Sequence, residues 1–187
     1  YGDYKKFPLE ENFRTDSPKS FYAATKKSNE VMAYSYSNVY SLPCTGLRFF
    51  TVYGPFGRPD MALFKFTNNI FKNKTLELYN FGKHSRDFTY IDDIVDGINL
   101  IINKPSRNKV PYQIFNIGKG ETKSLLSYIK EINKNITKKY KIKNKPLQVG
   151  DIIKTHSSIK KLQSYVGYKP KVNINLGIKK FIHWYKA

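Results

Sequence analysis

The chain has 187 residues, 33 Lys plus Arg against 14 Asp plus Glu, and a formal net charge of +19. With 40% hydrophobic and 16% aromatic residues it is not a disordered basic tail, and its length suffices for one sizeable core or one to two small lobes. No apolar run approaches the roughly 20 residues that span a bilayer, so no membrane association is expected.

Residues 1 to 19 are polar and carry Pro8 and Pro18, the composition of an extended loop. From Ser20 onward, Phe21, Ala24, Ser28, Val31, Met32, Ser35 and Val39 recur at three- and four-residue spacing, predicting a long helix entered at Pro18 and Ser20. Pro43 stops it, and residues 45–53 form a β-rich run closed by Gly54-Pro55. A helix over residues 61–72 follows, then short strands at 76–79 and 87–90 around a turn at Gly82. Asp92 or Asp93 can cap the next helix, which runs to about Ile102. Residues 112–117 read as a strand ended by Gly118 and Gly120, and Leu125, Leu126, Ile129, Ile132 and Ile136 mark an amphipathic helix. Ser157 and Ser158 precede a short helix that Gly167 ends, and a last helix covers 175–186. Strands alternating with helices predict an α/β layer with crossover connections.

Three readings compete for the charge: a nucleic-acid surface, a membrane-facing face, or drift toward Lys in an AT-rich coding sequence. Of the basic residues 28 are Lys, and only Arg14, Arg48, Arg58, Arg86 and Arg107 are Arg. Nucleic-acid interfaces favour Arg for its bidentate fork, so drift is preferred and the five retained arginines become informative. The stretch Lys130 to Lys145 interleaves Lys with Ile and reads as a solvated face rather than a binding patch. One cysteine, Cys44, excludes an intramolecular disulfide and a multi-Cys zinc site. A cytoplasmic location is expected. The opening Tyr1-Gly2-Asp3-Tyr4 has neither an initiator Met nor an apolar signal region, which leads us to expect a fragment.

Tyr22 and Lys26 stand four apart at the start of the first predicted helix, one turn apart on one face. A cation near a phenol favours the phenolate and lets Tyr act as a base near neutrality. The spacing alone is weak evidence: Tyr followed by Lys at i+4 occurs four times, at Tyr1, Tyr22, Tyr79 and Tyr165, where chance gives about two. A surface Tyr beside a Lys is the plain alternative. His84, His156 and His183 share no metal-ligand spacing, no metal is expected, and Trp184 reads as core or interface packing.

The surrounding segments add more. Ser20-Phe21-Tyr22-Ala23-Ala24-Thr25-Lys26, then Gly46-Leu47-Arg48-Phe49-Phe50-Thr51-Val52-Tyr53-Gly54-Pro55-Phe56-Gly57-Arg58-Pro59-Asp60, then Arg86-Asp87-Phe88-Thr89-Tyr90-Ile91-Asp92-Asp93 closely resemble the extended short-chain dehydrogenase/reductase family. Within it they are most similar to the UDP-glucuronate 4-epimerases, which hold NAD tightly. The likeness extends to Phe115-Asn116-Ile117-Gly118 and Gln148-Val149-Gly150-Asp151. It implies the C-terminal part of a Rossmann-type, doubly wound parallel sheet plus a small α/β substrate lobe. Residues 1–55 and 91–118 would belong to the NAD-binding domain, and 56–90 and 119–187 to the nucleotide-sugar lobe. The family's glycine-rich turn, which seats the NAD pyrophosphate on a helix N-terminus, has no counterpart here. Tyr1-Gly2 resembles the end of a segment whose Ser or Thr assists the catalytic Tyr, so that residue and the nucleotide-binding half are expected to precede residue 1.

By the same resemblance Tyr22 is the catalytic base and Lys26 its partner and a ligand of the nicotinamide ribose. The cycle passes the C4 hydride to NAD, turns a 4-keto sugar in the site and returns hydride to the other face, leaving NAD unchanged. Phe50 and Thr51 would face nicotinamide and sugar. Thr51 with Arg58 would recognise a glucuronate carboxylate, for which a guanidinium fork is well shaped; an Arg that merely stabilises its own loop is the alternative. Arg86 would grip the pyrophosphate, Asp151 the ribose hydroxyls, and Leu78 and Tyr79 would lie against the uracil. A homodimer is implied for the full-length protein. Another UDP-sugar 4-epimerase or a dehydratase remains open, although dehydratases carry an acidic pair where this chain has Lys19-Ser20-Phe21. An RNA- or polyanion-binding module is the alternative of another class.

Overall fold

The computed structural model describes residues 1–2, 4–148 and 150–187. Asp3, in the opening loop, and Val149, in the segment before Asp151, lie outside the described residues. In chain order the elements are α1 (Phe21–Tyr40), β1 (Cys44–Phe49), β2 (Thr51–Tyr53), α2 (Ala62–Phe71), β3 (Leu76–Leu78), a 3-10 turn (Tyr79–Gly82), β4 (Ser85–Arg86), β5 (Phe88–Tyr90), α3 (Ile91–Ile102), β6 (Tyr112–Ile117), β7 (Lys123–Ser124), α4 (Leu125–Ile136), β8 (Ile142–Asn144), α5 (Lys160–Val166) and α6 (Ile174–Lys186).

The run at 45–53 is two strands rather than one, because it changes partner at Phe50. β1 pairs in parallel with β6, from Cys44 opposite Tyr112 to Phe49 opposite Ile117. Phe50 donates its N–H to Ile117 at 3.2 Å, Thr51 donates to Asp87 at 3.0 Å, and β2 continues in parallel with β5. β3 and β8 form a further parallel pair, β4 and β7 an antiparallel one. A parallel pair needs a crossover, and the chain makes those crossovers with helices, as the alternating pattern predicts. The fold is α/β.

Two cores result. One gathers Tyr53, Leu63, Phe66, Ile70, Leu76, Leu78, Phe88, Tyr128, Ile132, Ile178 and Phe181, binding α2, α4 and α6 to β3 and β5. Trp184 is partly buried against it, with Phe64 and Phe181 each 5.7 Å away between ring centroids. The other gathers Ile94, Ile101, Phe115, Ile117, Ile159, Leu162 and Tyr168, packing α3 and α5 against β6. Ser158 donates its backbone N–H to Leu9 at 2.8 Å, and Leu9 donates to His156 at 2.7 Å, so the opening loop is tied into this second half.

Helix α1 leaves most of its apolar residues exposed. The Ser20 side chain caps it by accepting from Ala23 at 3.1 Å, as Pro18-Lys19-Ser20 predicts. Yet the apolar stripe is exposed: Phe21 at 86%, Val31 at 58%, Met32 at 55% and Val39 at 64%. The half-buried side is Ala23, Ala24, Lys27, Glu30 and Ala33, leading to the fully buried Ser37. Small residues let α1 lie on β1 and β6, while the larger apolar ones face outward. Among the described residues β1 has β6 as its single strand neighbour, so its other edge is open.

Neither Asp92 nor Asp93 caps α3, whose N-cap is Tyr90 without a side-chain bond. Asp93 is buried and accepts the backbone N–H groups of Lys171 at 2.7 Å and Val172 at 3.0 Å. Asp92 pairs with Lys180 of α6 at 3.0 Å. Asp93 fastens α3 to the segment that enters α6, and Asp92 fastens it to α6 itself. Satisfying two buried N–H groups outweighs a cap at a helix start that solvent can already serve.

Candidate active site

Tyr22 and Lys26 project from the first turns of α1, with the Lys26 ammonium 5.2 Å from the centre of the Tyr22 ring. Helical spacing alone creates this contact. Both side chains are exposed, and among the described residues neither polar end has a hydrogen bond or ion pair, so both are available to a ligand.

Arg58 stands close enough to feel the Tyr22 phenol. Its guanidinium is held above its ordinary range first by hydrogen bonding to Asp60, and in smaller measure by Tyr22. The fork reaches Asp60 through Nε at 3.1 Å and Nη2 at 2.5 Å, with 72% and 64% of the two side chains exposed. So exposed a pair contributes little to stability, and a substrate carboxylate could take the place of Asp60. Thr51 and Arg58 share the wall of one small cavity, about 30 Å³, with Gly57 and Met61. That is room for about one or two waters. Phe50, half-buried at the strand switch, has its ring 6.4 Å from that of Tyr1.

Arg86 and Asp151 come together from β4 and a distant loop. Arg86 Nη2 donates to Asp151 Oδ1 at 3.2 Å, and Nη1 donates to the Ile153 carbonyl at 3.0 Å. Burial lowers the Arg86 guanidinium from its ordinary value, and Asp151 counters that effect. Leu78 is only 1% exposed and belongs to the core, so its side chain offers no surface to a base; its carbonyl accepts from Lys145 at 2.9 Å. Tyr79 is half-buried at the start of a turn in which Asn80 and Phe81 adopt positive φ.

Three groups to which the sequence reading gave no role shape this site. Asp87 is fully buried and accepts from the backbone N–H of Lys119 at 2.8 Å, Gly120 at 3.1 Å and Ser157 at 3.0 Å, and from the Thr89 hydroxyl at 3.2 Å. It knots β5, the loop after β6 and the entry to α5 beside Arg86. Arg48 is bidentate to Glu30, at 2.7 and 2.9 Å, and locks α1 to β1. His84, buried to 5% exposure, places Nε2 3.0 Å from Asp151 Oδ2. Its signal in sequence was adjacency to Arg86, which carries no weight until residues 84 and 151 are seen together. Among the described residues no group of three or more His, Cys, Asp or Glu could hold a metal ion, and no helix is long and apolar enough to cross a membrane. A larger hollow of about 360 Å³, lined by Lys65, Asn69, Lys74 and Lys143 among others, contains none of the sequence-predicted residues.

Parallel strand pairs covered by helices, with a Tyr/Lys pair opening one helix and an arginine-bearing loop after the neighbouring strand, define an α/β protein. The chain belongs to the NAD dependent epimerase/dehydratase family, whose model matches residues 1–118. An uncharacterized protein of Methanocaldococcus jannaschii is 48% identical over 99% of this chain and 56% of its own length. A probable UDP-glucuronate 4-epimerase of Rhizobium meliloti is 40% identical over 99% of the chain and 59% of its own length. The crystal structure of the UDP-glucuronic acid 4-epimerase from Bacillus cereus, in complex with UDP-glucuronic acid and NAD, superposes with a TM-score of 0.90 at 30% identity, covering 97% of this chain and 57% of that one. The chain thus spans a little under three fifths of these relatives.

Proposed function

We propose that the protein carrying this chain is an NAD-dependent UDP-glucuronate 4-epimerase, with Tyr22 as its base. The observation that supports this most is the Tyr22/Lys26 pair, open to solvent on one helix face and within electrostatic reach of Arg58. Tyr22 takes the proton of the sugar C4 hydroxyl and later returns it; Lys26 hydrogen-bonds the nicotinamide ribose. Bound NAD supplies a reversible hydride acceptor. The residues present fit its nicotinamide end, where Tyr22 and Lys26 have no competing polar partner among the described residues and Phe50 lies at the strand switch. They include no glycine-rich turn for its pyrophosphate. Residues 1–55 and 91–118 form the NAD side, and 56–90 and 119–187 the sugar-nucleotide side.

On the substrate, Arg58 exchanges Asp60 for the glucuronate carboxylate beside Thr51. Arg86 grips the diphosphate, Asp151 accepts from the ribose hydroxyls, and Tyr79 lies against the uracil. The exposed face of α1 and the open edge of β1 support a further requirement: a nucleotide-binding half must cover them for turnover, so these 187 residues alone are inactive. The full-length enzyme is a homodimer.

Replacing Arg58 by Ala tests the carboxylate assignment. kcat/KM for UDP-glucuronate should fall about 100-fold, in line with a lost charge-assisted pair of roughly 2 to 3 kcal/mol, while UDP-glucose turnover changes little. Equal losses on both sugars would leave Arg58 as a loop-stabilising residue and favour another UDP-sugar epimerase.

A further inference from the structure

The Asp151 carboxylate has two cationic or potentially cationic neighbours. Arg86 holds Oδ1 at 3.2 Å, and His84 Nε2 lies 3.0 Å from Oδ2. The second contact is close but misaligned: the ring nitrogen, shielded from solvent, has no properly directed hydrogen bond. A buried ring N–H without a directed partner is costly, and the acceptor 3.0 Å from it is the oxygen that a diol-binding carboxylate must keep in place.

The surrounding backbone makes the His84 position rigid. Its carbonyl accepts from Leu125 at 2.8 Å, at the start of α4, and the adjoining Ser85 donates to Ile153 and accepts from Thr155 at 2.9 and 3.0 Å. Asp151 is different: its side chain is 30% exposed, and it follows Gly150, whose φ of +81° marks a sharp bend. The fixed partner is the imidazole, and the adjustable one is the carboxylate.

We propose that His84 is a positioning residue of the nucleotide site, holding Asp151 from behind so that its carboxylate meets the ribose hydroxyls once Arg86 turns to the diphosphate. This rests on the assignment of Arg86 and Asp151 to the nucleotide. Without ligand Arg86 and Asp151 neutralise each other. When Arg86 engages a diphosphate, Asp151 loses its stronger partner, and a small rotation brings Oδ2 onto the line of the waiting ring N–H. His84 then keeps the carboxylate from swinging into solvent.

UDP is the probe, with affinity measured by isothermal titration calorimetry on the full-length protein. His84→Phe should weaken UDP about tenfold, and His84→Gln, whose amide N–H can serve the same oxygen, should restore affinity to within about threefold. In an Asp151→Asn background the effect of His84→Phe should vanish, since the two act as one unit. Thermal melts identify a His84→Phe protein that fails to fold, in which case His84→Ala replaces it in the same cycle with Asp151→Asn, with the same expected loss of about tenfold and the same loss of effect. His84→Phe binding UDP as the parent does, or weakening it equally with and without the Asp151 carboxylate, overturns the inference. Asp151→Asn binding UDP unchanged removes the nucleotide assignment itself, and the inference with it.

Discussion

Glu30 illustrates how a single side chain can govern an interface that the sequence leaves unmarked. Burial opposes its ionisation, yet the Arg48 fork, assisted by Lys27, holds its carboxyl below the ordinary range. A carboxyl depressed in the folded state stabilises fully above its unfolded value, near 4.5, and that contribution is lost as pH falls through the lower folded value. Thermal melts from pH 6 down to 3 should therefore show a stability loss below about pH 4.5 that is shallower in Glu30→Gln, which is also less stable at pH 7. An identical acid slope in both proteins would mean the pair contributes nothing. Tyr22 and Lys26 were legible because their geometry is local. Asp87, His84 and Glu30 were not, because their partners lie 18 to 70 residues away in sequence.

At the scale of elements, the six helices and the strands at 44–53, 76–78, 88–90 and 112–117 followed from pattern, whereas β4, β7 and β8, two or three residues each, are too short to show a period and were not foreseen. Residues 45–53 alternate like one strand, but nothing local records that Phe50 passes from the β6 ladder to that of β5. In α1 the three- and four-residue stripe marks the face with the most apolar area, whereas the face turned to β1 and β6 combines small Ala and Ser residues with Glu30, which Arg48 of β1 holds. Small residues fix packing elsewhere too. On α6, a Cβ added at Gly177 would stand 2.2 Å from the Tyr53 hydroxyl and 2.8 Å from its ring carbon. Gly177→Ala should cost about 1 to 3 kcal/mol by overpacking, read as a lowered midpoint in urea unfolding. Tyr53→Phe in the same protein should recover part of that loss. Additive losses would show that the clash is relieved elsewhere.

For the whole molecule, the net charge of +19 first pointed to a polyanion partner. In the structure the Lys130–Lys145 stretch is largely solvated, while the guanidiniums of Arg48, Arg58 and Arg86 have definite acidic partners. RNA binding should therefore be weak, micromolar or poorer near physiological salt, without sequence preference, and should fall steeply in a salt titration. Tight, sequence-selective binding would restore the polyanion reading. The apolar side of α1 is exposed and, among the described residues, β1 has one strand neighbour, in a chain that covers 56% and 59% of the length of the Methanocaldococcus and Rhizobium relatives.

Epimerisation at Tyr22 is tested most directly by proton NMR of UDP-glucuronate incubated with NAD and the protein that carries this chain joined to a glycine-rich nucleotide-binding half. The predicted result is UDP-galacturonate approaching equilibrium, a rate at least about 100-fold lower in Tyr22→Phe, and no product from the 187 residues alone. Undiminished product from Tyr22→Phe, or no UDP-galacturonate from the folded, NAD-loaded parent, would contradict it.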